Sequence, residues 1–323
     1  MTSPAGSKPL VLVARRLLPA GEERLGAECT IVEGGPTATP ERLRELAPGA
    51  SAIVADPAVA VDEALLDAAG PQLSVVANFA VGYDNVDLEA CRRRGVAVTN
   101  TPDVLTNATA ELALALTLAA ARRIGEAEAD LRAGRWAGWD PGAYLGLELS
   151  GATFGSVGLG RIGRRYAELV HGLAGEILYT SRTPKPDAER ELGASRVGLR
   201  ELLRRADVVS LHVPATPETA GLIGREELAA MKAHAVLVNT ARGPLVVAFA
   251  LAEALREGSI GAAGLDVYEG EPAVPPELLE APRCVLLPHI GSATTRAREA
   301  MARLVAENVL AVLAGAEPPN RVA

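Results

Sequence analysis

Aromatic residues and thiols are scarce in this chain. Aromatics make up 3% of its 323 residues, so alanine, valine and leucine must fill the cores. The three cysteines, Cys29, Cys91 and Cys284, are widely spaced, with no CxxC pair and no Cys/His cluster. An odd set of this kind indicates neither a disulfide framework nor a structural zinc site, and no metal is expected. Reduced thiols in a cytoplasmic protein are the expectation. A long basic run is also lacking, and the net charge is −8. A nucleic-acid surface needs a concentrated Lys/Arg stripe, so none is expected, although a small basic pocket is compatible with these numbers. The N-terminus has no cationic start, and the apolar run 9–14 meets Arg15 and Arg16 too soon for a signal peptide. The most apolar stretch, 112–121, is about half of the roughly 20 residues that a membrane span needs. No short-period repeat and no low-complexity tract is visible.

What is present reads as an α/β protein. Apolar residues at 49% and charged residues at 22% are ordinary for a globular chain, and the length favours two domains. β-type runs at 10–13, 52–55, 74–78 and 96–99 alternate with helix-compatible stretches such as 41–46 and 88–94. Alternation of this kind implies a parallel sheet covered on both faces. Residues 109–124 form the longest helical pattern, apolar nearly all round, which predicts a helix buried between domains or subunits. A second series begins at Thr153, with strands at 153–157, 176–180, 207–211, 235–239, 262–266 and 284–287. Six strands with crossover helices fit a doubly wound sheet of order 3-2-1-4-5-6. The stretch 294–313 is a long helix with no following strand, expected to return to the first domain. The domains expected are therefore 1–100 with 290–323, discontinuous, and 101–289, a dinucleotide-binding domain.

Gly158-Leu159-Gly160-Arg161-Ile162-Gly163 follows the first strand of the second series and opens a helix. A GxGxxG string alone is weak, because glycine is common here, but this context is the one the mechanism requires. The first glycine makes the turn, the second admits a pyrophosphate, the third allows close helix–strand packing, and the helix N-terminus offers free N–H groups. A glycine-rich turn with no ligand is the plain alternative. An NAD site places a carboxylate about 20 residues on. Here the next strand ends in Ser181-Arg182-Thr183, with no carboxylate before Asp187, and these donors suit a 2′-phosphate. NADPH is expected as the preferred cofactor and NADH as the weaker one, against the alternative that Arg182 is a solvated loop residue.

Ligands of a doubly wound sheet lie beyond the carboxyl ends of the strands. Beyond 235–239 come Thr240, Ala241 and Arg242. Beyond 262–266 come Glu269 and Glu271, and beyond 284–287 come His289, Gly291 and Ser292. Carbonyl reduction needs a proton donor, which histidine serves near neutral pH, and a neighbouring carboxylate keeps it protonated. An arginine binds an α-carboxylate bidentately and polarises the carbonyl. His171 and His234 lie away from this edge, and His212 lies beside the cofactor turn. Arg242, Glu271 and His289 are the expected catalytic set, Glu269 being an acidic rival to Glu271 by residue type alone.

Together the segments 78–90, 98–116, 157–165, 236–246, 264–272 and 287–298 resemble the D-isomer-specific 2-hydroxyacid dehydrogenases over nearly the whole chain, most of all the glyoxylate/hydroxypyruvate reductase branch. The resemblance implies a Rossmann cofactor domain inserted in a flavodoxin-like substrate domain, and a homodimer formed through the helix at 109–124. It implies that Arg242, Glu271 and His289 are catalytic. Thr106, Val213, Pro214, Thr240, Ala241, Asp266, Gly291 and the 181–183 string would join the glycine turn, Arg242 and His289 in cofactor binding. Val81 and Gly82 would hold the substrate carboxylate by backbone N–H groups, with Ser292 at the substrate mouth and Trp139 lent to the partner subunit's pocket. The implied reaction is reduction of glyoxylate or hydroxypyruvate to glycolate or D-glycerate, with hydride from the nicotinamide and a proton from His289.

Some positions depart from the family pattern. Val247-Ala248-Phe249 stands where an acidic pair usually begins a helix, so that helix loses a cap worth about 1 kcal/mol, Phe249 is expected at the surface, and Ala248 lies close to the Arg242 loop. Ser156 replaces a β-branched residue and Ala152 a common lysine. A D-lactate-type or bulkier 2-ketoacid reductase is the alternative among enzymes. A phosphoglycerate dehydrogenase with a regulatory domain is not expected, because the chain ends soon after the return helix. From another class, a dinucleotide-sensing scaffold would not need the complete Arg/Glu/His set.

Overall fold

The computed structural model describes residues 8–323, and the reading of the first seven residues as lacking a cationic leader lies outside them. The chain divides into two compact units. One comprises the described residues up to Leu105 together with Ser292–Ala323, and the other is Thr106–Gly291. The junctions fall a few residues beyond the expected positions after 100 and 289.

In chain order the first unit runs β1 (Leu10–Val13), α1 (Pro19–Glu28), β2 (Thr30–Glu33), α2 (Pro40–Leu46), β3 (Ala50–Ala55), α3 (Glu63–Ala69), β4 (Val75–Asn78), α4 (Leu88–Arg93) and β5 (Ala97–Thr99). All pairings are parallel, in the order β2-β1-β3-β4-β5, the flavodoxin-like arrangement. The central strands are short apolar runs because both faces are covered. Leu12, Ile53, Val76 and Val98 pack on one face, and Val11, Val13, Val54 and Val75 on the other. The sequence reading missed β2. It is the edge strand, and its Thr30 and Glu33 are exposed, so no contiguous apolar run marks it.

The second unit begins with α5 (Thr106–Ala121) and α6 (Ile124–Arg132). The single helix expected across 109–124 is thus broken. Arg123 takes a left-handed backbone conformation at φ 53°, while its Nε donates to Glu126 at 2.6 Å. One side of α5 is buried through Ala110, Ala113, Leu116 and Ala120, whereas Glu111, Ala115 and Leu118 stay exposed, so within its own unit α5 is not buried all round.

There follow β6 (Ala152–Val157), α7 (Arg161–Val170), β7 (Ala174–Thr180), α8 (Pro186–Leu192), β8 (Ser195–Arg196), α9 (Leu199–Arg205), β9 (Val208–Leu211), α10 (Arg225–Ala230), β10 (Val236–Asn239), α11 (Ala248–Glu257), β11 (Ala262–Leu265), α12 (Pro276–Leu279) and β12 (Cys284–Leu286). The parallel sheet has seven strands, in the order β12-β11-β10-β9-β6-β7-β8. This corrects the six-strand reading, because β8 is an additional edge strand, two exposed residues long. Such a strand exists only through its pairing with Leu178 and Tyr179 of β7, and no periodicity can announce it. As a result Val208–Leu211 is the fourth strand of the unit and lies beside β6. The last helix, α13 (Thr295–Leu313), belongs to the first unit, where Ala302, Val305, Ala306 and Val309 close the face that holds Val11 and Val75.

The departure at 247–249 is visible in the structure. Val247 occupies the N-cap of α11 in extended backbone and offers no side-chain cap, and Phe249 is 56% exposed. Replacing Val247→Asp supplies an acceptor for the free N–H groups of the first turn. It is expected to stabilise the protein by about 1 kcal/mol, raising Tm by about 2–4 °C for a unit of this size. Thermal denaturation checks this, and an unchanged or lower Tm would show that the apolar side chain of Val247 is worth more than the cap.

Candidate active site

The glycine turn joins β6 to α7. Gly158 has φ 93°, and a Cβ there would lie 2.7 Å from the His212 carbonyl oxygen and from Val213 Cγ1, so only glycine fits. A Cβ on Gly160 meets nothing within 4 Å. That side of the turn is open, as the approach of a pyrophosphate requires. A Cβ on Gly163 would lie 2.3 Å from the Gly158 oxygen, so the third glycine permits the close packing of α7. The N-terminus of α7 has no side-chain cap, leaving its first N–H groups for an anion. Ser156, the departure in β6, donates its hydroxyl to the Gly158 oxygen at 2.8 Å and braces the turn. These residues fit a dinucleotide.

The end of β7 continues the same edge. Ser181 is half-buried, and Arg182 and Thr183 are exposed. Arg196 of β8, which the sequence reading did not single out, donates to the Ser181 oxygen at 2.8 Å and to the Arg182 oxygen at 3.1 Å. The missed edge strand thus fixes the loop that follows β7. Val213 and Pro214 follow β9, where Pro214 accepts a hydrogen bond from the Thr219 hydroxyl at 2.7 Å. Thr106 opens α5.

Three strand ends of the second unit bring the titratable set together. Glu271 Oε2 lies 2.6 Å from His289 Nδ1, and its other oxygen accepts the Tyr268 N–H at 2.9 Å. Glu269 is exposed and Glu271 half-buried, so the structure gives His289 the second glutamate as its partner. Burial raises the Glu271 pKa, but the hydrogen bonds from His289 and the Tyr268 N–H, with the charges of His289 and Arg242, outweigh it and hold the carboxyl below its ordinary value. His289 itself has φ 53°, a sparsely populated conformation for a non-glycine residue, of the kind held in place at functional sites. Asp266 explains how it is held. This carboxylate is fully buried and accepts the Ile290 and Gly291 N–H groups, each at 2.7 Å, while His289 N donates to the Asp266 backbone oxygen at 2.9 Å. Burial raises the Asp266 pKa, against the two N–H groups that lower it.

Arg242 follows β10 in a loop organised by Asn239. The Asn239 Oδ1 accepts the Ala241 N–H at 3.0 Å and its Nδ2 donates to the Arg242 oxygen at 2.8 Å, an Asx turn of a kind that a strand-terminal asparagine signals. Gly243 packs so tightly against the Tyr268–Glu269 backbone that a Cβ would clash at 1.9 Å, which ties the arginine loop to the glutamate loop. Tyr268, also missed, anchors its hydroxyl on the Leu287 oxygen at 2.9 Å. The buried Thr240 hydroxyl has no hydrogen-bond partner.

The other histidines are placed differently. His212 Nε2 is enclosed without a hydrogen-bond partner although the residue keeps some exposure, and burial pushes its pKa down to about 3, so it is neutral near pH 7. His234 Nε2 lies 2.8 Å from Asp207 at the opposite edge of the sheet, and His171 is exposed at the end of α7. In the first unit, Val81 and Gly82 lie in the loop after β4, and Ser292 precedes α13. Trp139 is 84% exposed on the segment between α6 and β6. Among the described residues, no helix is long and apolar enough to cross a membrane.

Comparison with known proteins gives this geometry a context. Residues 114–291 match the family model described as D-isomer specific 2-hydroxyacid dehydrogenase, NAD binding domain. Over 266 residues the chain is 53% identical to glyoxylate reductase of Thermococcus litoralis, covering 81% of this chain and 80% of that protein. Over 321 residues it is 47% identical to glyoxylate reductase of Thermococcus onnurineus, covering 98% and 96%. Among solved structures, the NADPH-dependent glyoxylate/hydroxypyruvate reductase of Sinorhizobium meliloti, in complex with NADP and malonate, superposes with a TM-score of 0.85 at 37% identity, covering 98% of this chain and 97% of that one. On this extent of similarity, the chain belongs to the D-isomer-specific 2-hydroxyacid dehydrogenase family.

Proposed function

We propose that this protein reduces a small 2-oxo acid, glyoxylate or hydroxypyruvate, to the D-2-hydroxy acid, with NADPH as the preferred reductant. The observation that carries the reading is the 2.6 Å contact of His289 Nδ1 with Glu271, beside Arg242, at the carboxyl edge of a sheet whose glycine turn fits a dinucleotide. A bound nicotinamide supplies the hydride. The protein supplies everything else. Glu271 accepts from Nδ1 and orients the ring, which leaves Nε2 to deliver the proton to the carbonyl oxygen. Arg242, a planar fork of donors, takes the α-carboxylate and the carbonyl oxygen as negative charge builds there. Substrate-binding roles for Val81, Gly82 and Ser292 are supported by the family resemblance. The relatives are named for glyoxylate and hydroxypyruvate reduction, which supports this substrate class.

NADPH preference is supported by the Ser181-Arg182-Thr183 loop, held by Arg196, with no carboxylate before Asp187. A homodimer is supported by the segment around α6, which exposes Ile124, Leu131, Trp136, Trp139 and Leu145, more apolar surface than a solvated arm needs. Trp139 is then the residue lent to the partner's substrate pocket.

Initial rates with glyoxylate, hydroxypyruvate and pyruvate, each with NADPH and NADH, test the assignment. Fastest turnover is expected with the first two and with NADPH, and an NADH preference would sink the cofactor assignment. Arg182→Ala is expected to lower kcat/KM for NADPH by about tenfold or more, as for loss of a charge-assisted hydrogen bond, and to leave that for NADH within about twofold. His289→Ala is expected to lower kcat by roughly 10²-fold or more, the usual contribution of a general acid, and retained activity would refute the role. The Glu271 carboxyl sits below its ordinary value of 4.5. Its contribution to stability is therefore present above about that pH and is lost as pH falls through the depressed value. The stability advantage of the wild type over Glu271→Gln, measured by chemical denaturation, is expected to shrink with that fall. An advantage that does not change with acidification would mean the pair is not held as described.

A further inference from the structure

In the first unit, three successive carbonyls of the loop after β4 are held from within. The Ala80 oxygen accepts the Thr101 N–H at 2.8 Å. The Val81 oxygen accepts Asn100 Nδ2 at 2.8 Å, and the Gly82 oxygen accepts Asn78 Nδ2 at 2.7 Å. Asn78, Asn100 and Thr101 are all buried. These peptides are trans, and in a planar trans peptide the N–H points opposite to the C=O. The N–H groups of Val81, Gly82 and Tyr83 therefore point away from the residues that hold the carbonyls. Among the described residues none of these three N–H groups has an acceptor, while Val81 and Gly82 are only half-buried and Tyr83 is exposed. Successive N–H groups left open on one stretch of chain form a concavity for an anion.

The amides that set this arrangement are themselves fixed. Asn78 Oδ1 accepts Asn85 Nδ2 at 3.1 Å, which leaves the Asn78 Nδ2 for Gly82, and Asn85 Nδ2 is tied to the Asp56 and Val59 oxygens, both at 2.9 Å. The main chain of Asn100 is braced by the returning end of the chain. Its N–H donates to the Asn320 oxygen at 3.2 Å, and its oxygen accepts Nδ2 of Asn308, a buried residue of α13, at 3.3 Å. Asn308 Oδ1 in turn accepts the Asn320 N–H at 3.0 Å. A chain of amides thus runs from α13 through Asn100 to the Val81 carbonyl.

We propose that Asn100 is a positioning residue for the substrate carboxylate, holding the Val81 peptide so that the Gly82 N–H, with the Val81 N–H held through Thr101, faces the anion. This deepens the 2-oxo-acid reading and rests on it for the identity of the anion. Without the Asn100 amide the 81–82 peptide is free to rotate, and a carbonyl dipole turned toward the carboxylate repels it where the N–H attracted it. The role is one of binding rather than of chemistry, and α13 and its following segment gain a part in substrate affinity through Asn308.

The test is Asn100→Ala, read by KM and kcat for glyoxylate and by calorimetric affinity of the NADPH-loaded protein for oxamate, a non-reacting carboxylate. KM for glyoxylate and the oxamate Kd are expected to rise together on the order of tenfold, as for loss of a hydrogen bond to a charged group. KM for NADPH should stay within about twofold, and kcat should change less than KM. Should Asn100→Ala fail to fold, Asn100→Ser keeps a small polar group, cannot reach the Val81 oxygen, and is expected to shift KM and Kd in the same direction. A folded variant with lowered Tm but unchanged KM and oxamate Kd would overturn the proposal, since a merely structural residue behaves that way. Wild-type protein that binds no oxamate would overturn it as well. Wild-type protein that binds oxamate but reduces no 2-oxo acid would instead overturn the activity, and the oxamate affinities would then decide the positioning role alone.

Discussion

Parallel strand pairing governs where chemistry can appear in this protein. In each sheet every strand runs the same way, so all carboxyl ends, and the loops that leave them, share one edge. Residues more than a hundred positions apart in sequence, such as Gly158 and His289, come to lie along that one edge, after strands four places apart in the sheet, through pairing alone. The apolar runs that make the strands, Val75–Asn78 or Val236–Asn239, are buried on both faces and serve as a rigid frame. The residues with chemical character are those at which each run stops.

Edge position by itself does not aim a side chain. In the second unit the aiming is done by backbone N–H groups bound to buried acceptors. The fully buried Asp266 takes two of them from the 290–291 segment, and Glu271 takes one from Tyr268 while facing His289. Charge-assisted bonds of this length are stronger than neutral ones, and a carboxylate buried without them would be costly. The strained backbone of His289 is tolerated because these contacts over-determine it. In the first unit buried asparagine amides do the equivalent work on carbonyls, and leave N–H groups turned outward. Both devices spend buried hydrogen-bonding capacity on orientation.

Edge strands show where pattern reading stops. The Thr30–Glu33 strand has exposed ends and only two partly buried residues between them, and Ser195–Arg196 is a two-residue strand. Neither buries enough apolar surface to leave a signature, so both were missed. The consequence was local for the first but not for the second, because the pairing of Arg196 with β7 sets the conformation of the Ser181–Arg182 loop. The break after Ala121 was missed for a related reason. The residues 109–124 are helix-compatible throughout, and only the left-handed conformation of Arg123, paired with Glu126, ends α5.

The glycine turn, the alternation of strands and helices, and the identities of Arg242, Glu271 and His289 as candidates could be read from the sequence. Each depends on residues close together or on the strand-end rule. Glycine spacing reflects local backbone sterics, and apolar runs reflect burial on both faces. The residues alone left Glu269 and Glu271 as rivals, the family resemblance favoured Glu271, and the tertiary structure showed that Glu271 reaches His289 while Glu269 stays exposed, because the path of that loop is set by its packing and by no local preference. Only the tertiary structure decided that Asp266 binds backbone N–H groups, that Asn239 and Tyr268 organise the loops around Arg242 and Glu271, and that Asn100 and Asn308 stand behind Val81 and Gly82. An asparagine's amide can pair with many partners, and the partner is chosen by which carbonyl the packed fold brings within hydrogen-bonding distance, information that no short stretch of sequence contains.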